Sequence, residues 1–134
     1  MDFEVIAVPN ASLTVGPYSH ATRAGDFIFV SGQAALDPKT GRLIEGGIRE
    51  QTSQVLRNIS AILEAAGSDL SRVVKVTVFL HDWKYFQGMN ETYAEFFDFD
   101  GPTRTTVAVK ELPHPHQRLM VRAVAHTVVE DPLA

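Results

Sequence analysis

Cysteine is absent from this sequence of 134 residues. Disulfide bonds, thiolate catalysis and zinc sites built on cysteine are therefore excluded. No apolar run approaches the roughly 20 residues that a membrane-spanning helix needs. The N-terminal stretch "MDFEVIAVPN" also lacks the basic and apolar regions of a secretory signal. We therefore expect a cytoplasmic protein without a membrane partner.

Lysine and arginine are also few, and they are scattered along the chain. There are 12 of them against 16 aspartate and glutamate residues, which gives a formal net charge of -4. A nucleic-acid-binding protein normally carries a basic patch or stripe, so we expect no nucleic-acid partner and favour a small-molecule ligand. The composition is that of an ordinary globular protein without repeats or linkers, so we expect a single domain over residues 1–134.

The spacing of hydrophobic residues predicts two helices among several strands. Strands are predicted at residues 3–8, 27–31, 73–80, 103–110 and 119–129, with a further short extended piece between the turns at Gly16-Pro17 and Gly25-Asp26. Apolar residues recur at helical spacing from Val55 to Ala66, and Gly67 is typical of the position after a helix end. A second helix is predicted from Asp82, a good N-cap, to Phe97.

The order of these elements predicts an α+β fold. We expect the order ββ-α-β-α-ββ, with both helices packed on one face of a mixed β-sheet. No helix remains to cover the opposite face, which would leave an apolar surface exposed. Symmetric association of several copies, sheet against sheet, is the most economical way to cover such a face.

Three segments resemble one known family. They are "GPYSHATRAGDFIFVSGQ", the stretch from "QTSQVLRNISAILEAAG" to "MNETYAEFF", and "GPTRTTVAVKELP". In this order they resemble the Rid/YjgF family of imine and enamine deaminases, from about Gly16 to Ala125. The stretch "GPTRTTVAV" with the following "LPHPH" is similar to 2-aminomuconate deaminases, a branch of that family. The resemblance implies a chorismate-mutase-like fold, a homotrimer with pockets at the subunit interfaces, and hydrolysis of 2-imino or 2-enamino acids to 2-keto acids and ammonia without cofactor or metal.

Arg104 matches the family arginine that binds the substrate carboxylate. A guanidinium is planar and permanently charged, and its fork of donors meets a carboxylate bidentately. Thr106 lies two residues further along the same predicted strand, so both side chains are expected on one face. The resemblance gives Thr106 the role of holding carboxylate and water through its backbone groups. The alternative is that Arg104 pairs with an acidic residue across the sheet.

Other family positions predict the wall of the pocket. Tyr18 matches a tyrosine that lines it, and the alternative is a core tyrosine. Ser31, Gly32 and Gln33 match a segment in which glycine permits close backbone approach; Gln33 alternatively satisfies a strand end. Asn90 matches an asparagine near the pocket, and the alternative is a hydrogen bond to the local helix backbone.

Met120 is the main departure from the family pattern. It stands in "LMVRAVA", where the family has the glutamate on which imine hydrolysis relies. A thioether neither accepts a proton from water at neutral pH nor orients it as a carboxylate does. We expect Met120 to line the substrate pocket as a flexible apolar wall. A register shift of one residue would turn every side chain of the strand to the other face and bring Arg122 into question.

The proline-rich stretch "PHPH" carries His114 and His116. Three roles are open for it. Proline fixes the backbone and favours a stiff loop at the pocket mouth; a histidine offers acid–base help near neutral pH; metal binding lacks an evident third ligand, so we expect no metal site. Three further histidines are interpreted as structural: His20, His81 and His126. Trp83 is interpreted as part of the core or of a subunit contact.

The leading interpretation of function is hydrolytic deamination of a reactive 2-imino or 2-enamino acid, with the substrate carboxylate held by Arg104. Met120 keeps two alternatives open. One is a trimer that binds small carboxylates without turnover. The other is an enzyme of one particular pathway that acts on an unstable imine without releasing ammonia. A nuclease, a role given to some relatives, is disfavoured by the net charge and by the lack of a carboxylate metal cluster in the sequence.

Overall fold

The computed structural model describes residues 2–9, 11 and 14–127. Its strands are β1 (Glu4–Val5), β2 (Ala21–Ala24), β3 (Phe27–Gln33), β4 (Val73–Leu80), β5 (Thr103–Ala108) and β6 (Leu119–His126). Its helices are α1 (Ile48–Ala65) and α2 (Phe86–Tyr93), with short 3-10 helices at Leu70–Arg72 and Trp83–Tyr85. The strands form one sheet in the order β1-β2-β3-β6-β4-β5, in which β4 and β5 run parallel and the other neighbours antiparallel. The predicted α+β fold with a mixed sheet is confirmed.

The register of β6 shows how the sheet separates its two faces. Leu119 and Val121 pair with Leu80 and Val78 of β4, and all four side chains are buried in the core. Met120 lies between the two buried residues of β6 and projects to the opposite face, because side chains alternate along a strand. One face of the sheet is therefore packed against the helices, and no helix of the described residues packs on the other.

The apolar stripe of α1 supplies a large part of the core. Val55, Leu56, Ile59 and Leu63 are all buried, at the spacing of one helix face. Met89 of α2 is buried in the same cluster, so both helices lie on the same face of the sheet, as predicted. Full burial of each such side chain stabilises the fold by about 1.5–3 kcal/mol.

α1 ends through Gly67, as the sequence predicts. The backbone of Gly67 is left-handed, with φ +78°, and the following N–H of Ser68 donates to the carbonyl oxygen of Leu63 at 2.8 Å. This geometry satisfies a carbonyl that the helix end would otherwise leave without a partner.

We expect Gly67→Ala to lower the free energy of unfolding by about 1 kcal/mol, because a Cβ disfavours this conformation. Apart from its chain neighbours, no atom lies within 4 Å of an added Cβ, so the loss reflects the backbone alone. Gly67→Asn should lose less, since asparagine tolerates left-handed geometry. Urea unfolding measures both. An alanine variant as stable as the wild type would contradict this account of the helix end.

The N-terminal strands differ from their predicted bounds. β1 covers Glu4–Val5 rather than residues 3–8, because only this short piece pairs with β2. The predicted extended piece is the full strand β2, with neighbours on both sides, so three strands rather than two precede α1. β5 ends at Ala108, two residues early. The last predicted strand extended to residue 129, and residues 128–129 lie outside the described residues.

The second helix is shorter than predicted. The carboxylate of Asp82 accepts a hydrogen bond from the N–H of Lys84 at 2.8 Å, and it caps a 3-10 helix that leads into α2. After Tyr93 the chain continues in turns rather than as helix up to Phe97. Trp83 is 53% exposed and stacks on an aromatic ring of α2, so its interpretation as a core residue is wrong, while a subunit contact stays a prediction.

We call the face of the sheet opposite the helices the open face. It includes Phe27 and Phe29 of β3, which are 43% and 45% exposed. The ring of Phe27 meets that of His126 edge-on at 6.4 Å, and the guanidinium of Arg122 lies 5.4 Å from the ring centre of Phe79. No element among the described residues covers these side chains, so the predicted apolar surface is present.

Candidate active-site cavity

A cavity of about 360 Å³ lies beyond the end of β3 and the beginning of β6. Its walls are the segment before β2, the loop after β3, the outer side of α1 and the loop before β6. Tyr18, Gly32, His114 and Met120 line it, together with His20. The fold therefore brings together three residues predicted to bind substrate and one predicted at the pocket mouth.

A β-bulge shapes the cavity at the end of β3. Val30 and Gln33 pair with Ala123 and Val121 of β6, so β3 carries one extra residue over this interval. Gly32 lies in this irregular stretch. Bulges are common beside functional sites because they redirect side chains and interrupt strand pairing.

Gly32 makes room for the thioether of Met120. A Cβ at position 32 would lie 2.5 Å from Sδ of Met120, closer than real Cβ contacts allow, and 3.0 Å from its Cγ. Leu119 and Val121 on either side of Met120 are buried on the helix-covered face, so the strand has the predicted register. Met120 rather than its neighbours reaches the cavity.

We expect Gly32→Ala to lower the free energy of unfolding by about 1 kcal/mol, the low end of the usual cost of overpacking, because the flexible Met120 side chain can shift. Met120→Ala in the same chain removes the clashing atoms, so the double variant should lose less than the sum of the two single losses. Guanidinium unfolding of wild type, both single variants and the double variant measures this coupling. Strictly additive losses would show that the two side chains do not meet.

Hydrogen bonds around Ser31 hold Tyr18 at the cavity. Ser31 Oγ donates to the carbonyl oxygen of Ser19 at 2.5 Å, and Ser31 N donates to that of His20 at 2.9 Å. Tyr18 itself is 51% exposed, so the alternative of a core tyrosine is wrong, and the ring is available to a ligand. Gln33 is buried and donates to the carbonyl oxygen of Ser31 at 3.1 Å, which agrees with a role at the strand end.

Arg104 lies on β5, where it pairs with Val76 of β4 and shares its helix-covered face. Thr106 is on the same face, as predicted, because it pairs with the next inward residue of β4. The guanidinium of Arg104 lies 4.6 Å from the ring centre of Tyr93 and 5.9 Å from that of Phe86. Two aromatic rings of α2 therefore support the half-buried cation.

The charge of Arg104 is not neutralised within the described chain. Burial raises the pKa of Tyr93, although the positive charge of Arg104 acts in the opposite direction, so the phenol is neutral at physiological pH. In residues 2–9, 11 and 14–127, no carboxylate forms an ion pair with Arg104. Among the described residues, Arg104 therefore does not pair with an acidic residue of the sheet, which was the alternative to carboxylate binding.

One chain does not bring Arg104 to the cavity. The side chain of Arg104 projects from β5 on the helix-covered face of the sheet, whereas that of Met120 projects from β6 on the open face. Strand β4 also lies between β5 and β6. Asn90 is exposed on α2 and does not line the cavity. The predicted site residues thus form two groups. The cavity group comprises Tyr18, Gly32, His114 and Met120, and Ser31 is hydrogen-bonded to the segment that follows Tyr18. The β5 group comprises Arg104 and Thr106, while Asn90 lies on α2, one turn after the Phe86 ring that contacts Arg104.

The loop that carries "PHPH" is anchored by two buried glutamines. The N–H of His114 donates to Oε1 of Gln117 at 3.1 Å. Gln51 of α1 donates to the carbonyl oxygen of His116 at 3.0 Å and accepts a hydrogen bond from the N–H of Arg118 at 2.9 Å. His116 faces a second cavity, of about 460 Å³, whereas His114 borders both. The arrangement fits the predicted stiff loop.

Sequence reasoning missed Gln51 and Gln117. Gln51 stands on the buried face of α1, four residues before Val55, and is 1% exposed. A polar residue at an apolar helix position needs buried hydrogen-bond partners. Gln51 in the apolar stripe of α1 therefore indicated that another segment is hydrogen-bonded to the helix at this point.

Two negative findings concern the part of the chain that the structure describes. No three His, Asp or Glu side chains within it come together as a set of metal ligands. None of its helices is both long enough and apolar enough to cross a membrane.

Comparison with known proteins shows the family of the chain. The model of the family described as Endoribonuclease L-PSP matches residues 9–127. The 2-iminobutanoate/2-iminopropanoate deaminase of Mus musculus is 40% identical over 122 residues, which cover 91% of this chain and 90% of the mouse protein. The chain belongs to the Rid/YjgF family.

Other relatives of the chain include a more similar sequence and a solved structure. A RutC family protein of Pyrococcus horikoshii is 54% identical over 110 residues, 82% of this chain and 87% of that protein. The crystal structure of RidA from an Antarctic Psychrobacter bacterium matches with a TM-score of 0.86 at 36% identity, over 92% of this chain and 98% of that one. Some relatives are thus named as imine deaminases, while others carry only a family name.

Proposed function

We propose that this Rid protein hydrolyses reactive 2-imino or 2-enamino carboxylic acids to 2-keto acids and ammonia. The observation that carries the proposal is Arg104, a half-buried cation that rests on two aromatic rings and has no carboxylate partner in the described chain. Such a cation is suited to an anionic ligand. The name of the mouse relative supports 2-imino carboxylates as that ligand.

Arg104 holds the substrate carboxylate with two parallel hydrogen bonds. The rings of Tyr93 and Phe86 restrict the guanidinium plane, so the carboxylate and the neighbouring C2 atom take one orientation. Neutralising the carboxylate also makes C2 more electrophilic toward water. β5 is an edge strand, so the backbone groups of Thr106 and its neighbours that face away from β4 are available to the carboxylate and the water.

We further propose that each site is shared between copies, with the β5 group of one copy facing the cavity group of its neighbour. The opposite directions of Arg104 and Met120 within one chain support this arrangement. The exposed Phe27 and Phe29 support association through the open face. A homotrimer with the open faces turned inward would cover these rings and place the β5 group of one copy beside the cavity group of the next.

The cavity favours a substrate with one carboxylate and an apolar side chain. Its lining includes Tyr18, Met120 and residues of α1 such as Ala61 and Ile62, and no lysine or arginine of the described chain contributes. 2-Aminomuconate carries two carboxylates, so it is the poorer candidate despite the local sequence resemblance. Hydrolysis of an iminium carbon by water exchanges C–N bonds for C–O bonds without a change of oxidation state, so the proposal includes no cofactor. We place the reaction in the cytoplasm.

The test is ammonia release from 2-iminobutanoate, formed in the assay by an amino-acid oxidase in excess so that imine hydrolysis limits the rate. The proposal predicts that catalytic amounts of protein accelerate the release of ammonia and 2-ketobutanoate in equal amounts. Ammonia that appears at the spontaneous rate would contradict it. Consumption of imine without ammonia would instead indicate an enzyme that does not deaminate.

Met120 supports one second candidate, a trimer that binds small carboxylates without turnover. A thioether at the position of the family glutamate leaves binding by Arg104 intact but removes a proton acceptor. Calorimetry with 2-ketobutanoate separates the two functions when it is combined with the ammonia assay. Saturable binding that Arg104→Ala abolishes, without faster ammonia release in the wild type, would favour this candidate.

A further inference from the structure

The described residues that line the cavity include histidine but no carboxylate. Among the described residues around it, the titratable side chains are Tyr18, His20 and His114. We propose that His114 is the acid–base group that activates water in this pocket, where Met120 stands in place of a carboxylate. The inference rests on the proposed deamination.

The position of His114 suits proton transfer. Its imidazole makes no hydrogen bond to the described residues, so the ring nitrogens are available to water. Its backbone is fixed by Gln117, which is only 2% exposed and exchanges hydrogen bonds with His114 at 3.1 and 3.2 Å. Because His114 borders both cavities, a water molecule can reach it beside a substrate that fills the first cavity.

The other histidines are less suitable. His116 is exposed and borders only the second cavity, so it does not face the substrate. His20 lines the first cavity, but it already interacts with the chain around it.

The reaction balances with water as the only co-reactant. His114 accepts a proton from water as the oxygen bonds to C2 of the iminium, and the π electrons of the C=N bond move to nitrogen. The protonated imidazole then gives this proton to the amino group. The C–N bond breaks with its electron pair on the departing ammonia, while the hydroxyl oxygen forms the C=O bond and gives its proton to that ammonia through water. The products are the 2-keto acid and ammonium, and His114 is neutral again.

The first test compares His114→Asn with the matched control His116→Asn on the same loop, in the ammonia assay. We expect His114→Asn to lower kcat about 10²-fold, the usual range for loss of acid–base help, with KM for the imine changed less than about twofold. His116→Asn should keep wild-type kcat. Added imidazole should restore part of kcat to His114→Ala, a response that a purely structural role does not give. Wild-type kcat in His114→Asn would overturn the inference.

A second variant separates this inference from the proposed function. Met120→Glu in the His114→Asn chain supplies a carboxylate at the family position, and we expect it to restore kcat at least tenfold. An active wild type with unchanged kcat in His114→Asn and a large loss in His20→Asn would overturn the role of His114 and leave deamination intact. An inactive wild type overturns both. Thermal unfolding of each variant identifies losses due to misfolding.

Discussion

Arg104→Ala should lower kcat/KM for imine hydrolysis about 10²- to 10³-fold. Removing one partner of a hydrogen-bonded charge pair costs about 2–5 kcal/mol, and each 1.4 kcal/mol or so is a factor of ten in rate. The loss should affect KM and kcat together, because the proposed carboxylate contact would both bind the substrate and orient C2. Arg104→Lys should recover only part of the rate, since an ammonium keeps the charge but lacks the planar fork.

Arg42→Ala is the matched control, because Arg42 is an exposed arginine in the turn after β3 and belongs to neither group of site residues. The free energy of unfolding should change by less than about 1 kcal/mol in Arg104→Ala, since aromatic stacking of an arginine contributes modestly. Wild-type kcat/KM in a folded Arg104→Ala protein would show that Arg104 does not bind the substrate carboxylate.

Phe29→Lys should dissociate the proposed trimer and abolish turnover. Phe29 is 45% exposed on the open face, where the proposed trimer buries it. An ammonium buried without a partner costs several kcal/mol per copy, and a cyclic assembly bears this cost at every interface. Since the proposed site combines residues of two copies, the dissociated protein should release ammonia no faster than Arg104→Ala.

Sedimentation velocity over a range of concentrations measures the effect on assembly, and the ammonia assay measures the effect on activity. Phe29→Leu is the control, because it keeps an apolar side chain of similar size and should keep both the trimer and its activity. A Phe29→Lys protein with the wild-type sedimentation coefficient and rate would show that the open face is not the contact surface.

The elements with strong periodicity were predictable from the sequence. The β-branched run of β4 gave both of its bounds correctly, and Gly67 marked the end of α1, because local sterics and burial decide these features. The common face of Arg104 and Thr106 followed from the two-residue period of a strand. The length of β1 was overestimated: residues 3–8 were predicted, and the strand covers Glu4–Val5. Pairing at a sheet edge depends on a partner strand rather than on local propensity.

The spatial grouping of the site residues was not predictable in the same way. Arg104 and Met120 are 16 positions apart on neighbouring segments of sequence, yet β6 pairs on the far side of β4 and turns Met120 to the other face. The position of β6 next to β4, on the side away from β5, is a property of the sheet order, which no local sequence pattern specifies. The bulge that brings Gly32 against Met120 and the anchoring of the His114 loop through Gln51 also depend on long-range contacts.

The most direct test of a deaminase site shared between copies is complementation between two inactive chains. One chain carries Arg104→Ala. The other carries Ala61→Trp, which places a large ring in the cavity from an exposed position of α1. The two are unfolded together and refolded in equal amounts. In a cyclic trimer about a quarter of the interfaces then combine an intact Arg104 with an open cavity, so the mixture should recover about a quarter of the wild-type rate of ammonia release. Mixed trimers that stay as inactive as their parents would contradict the account.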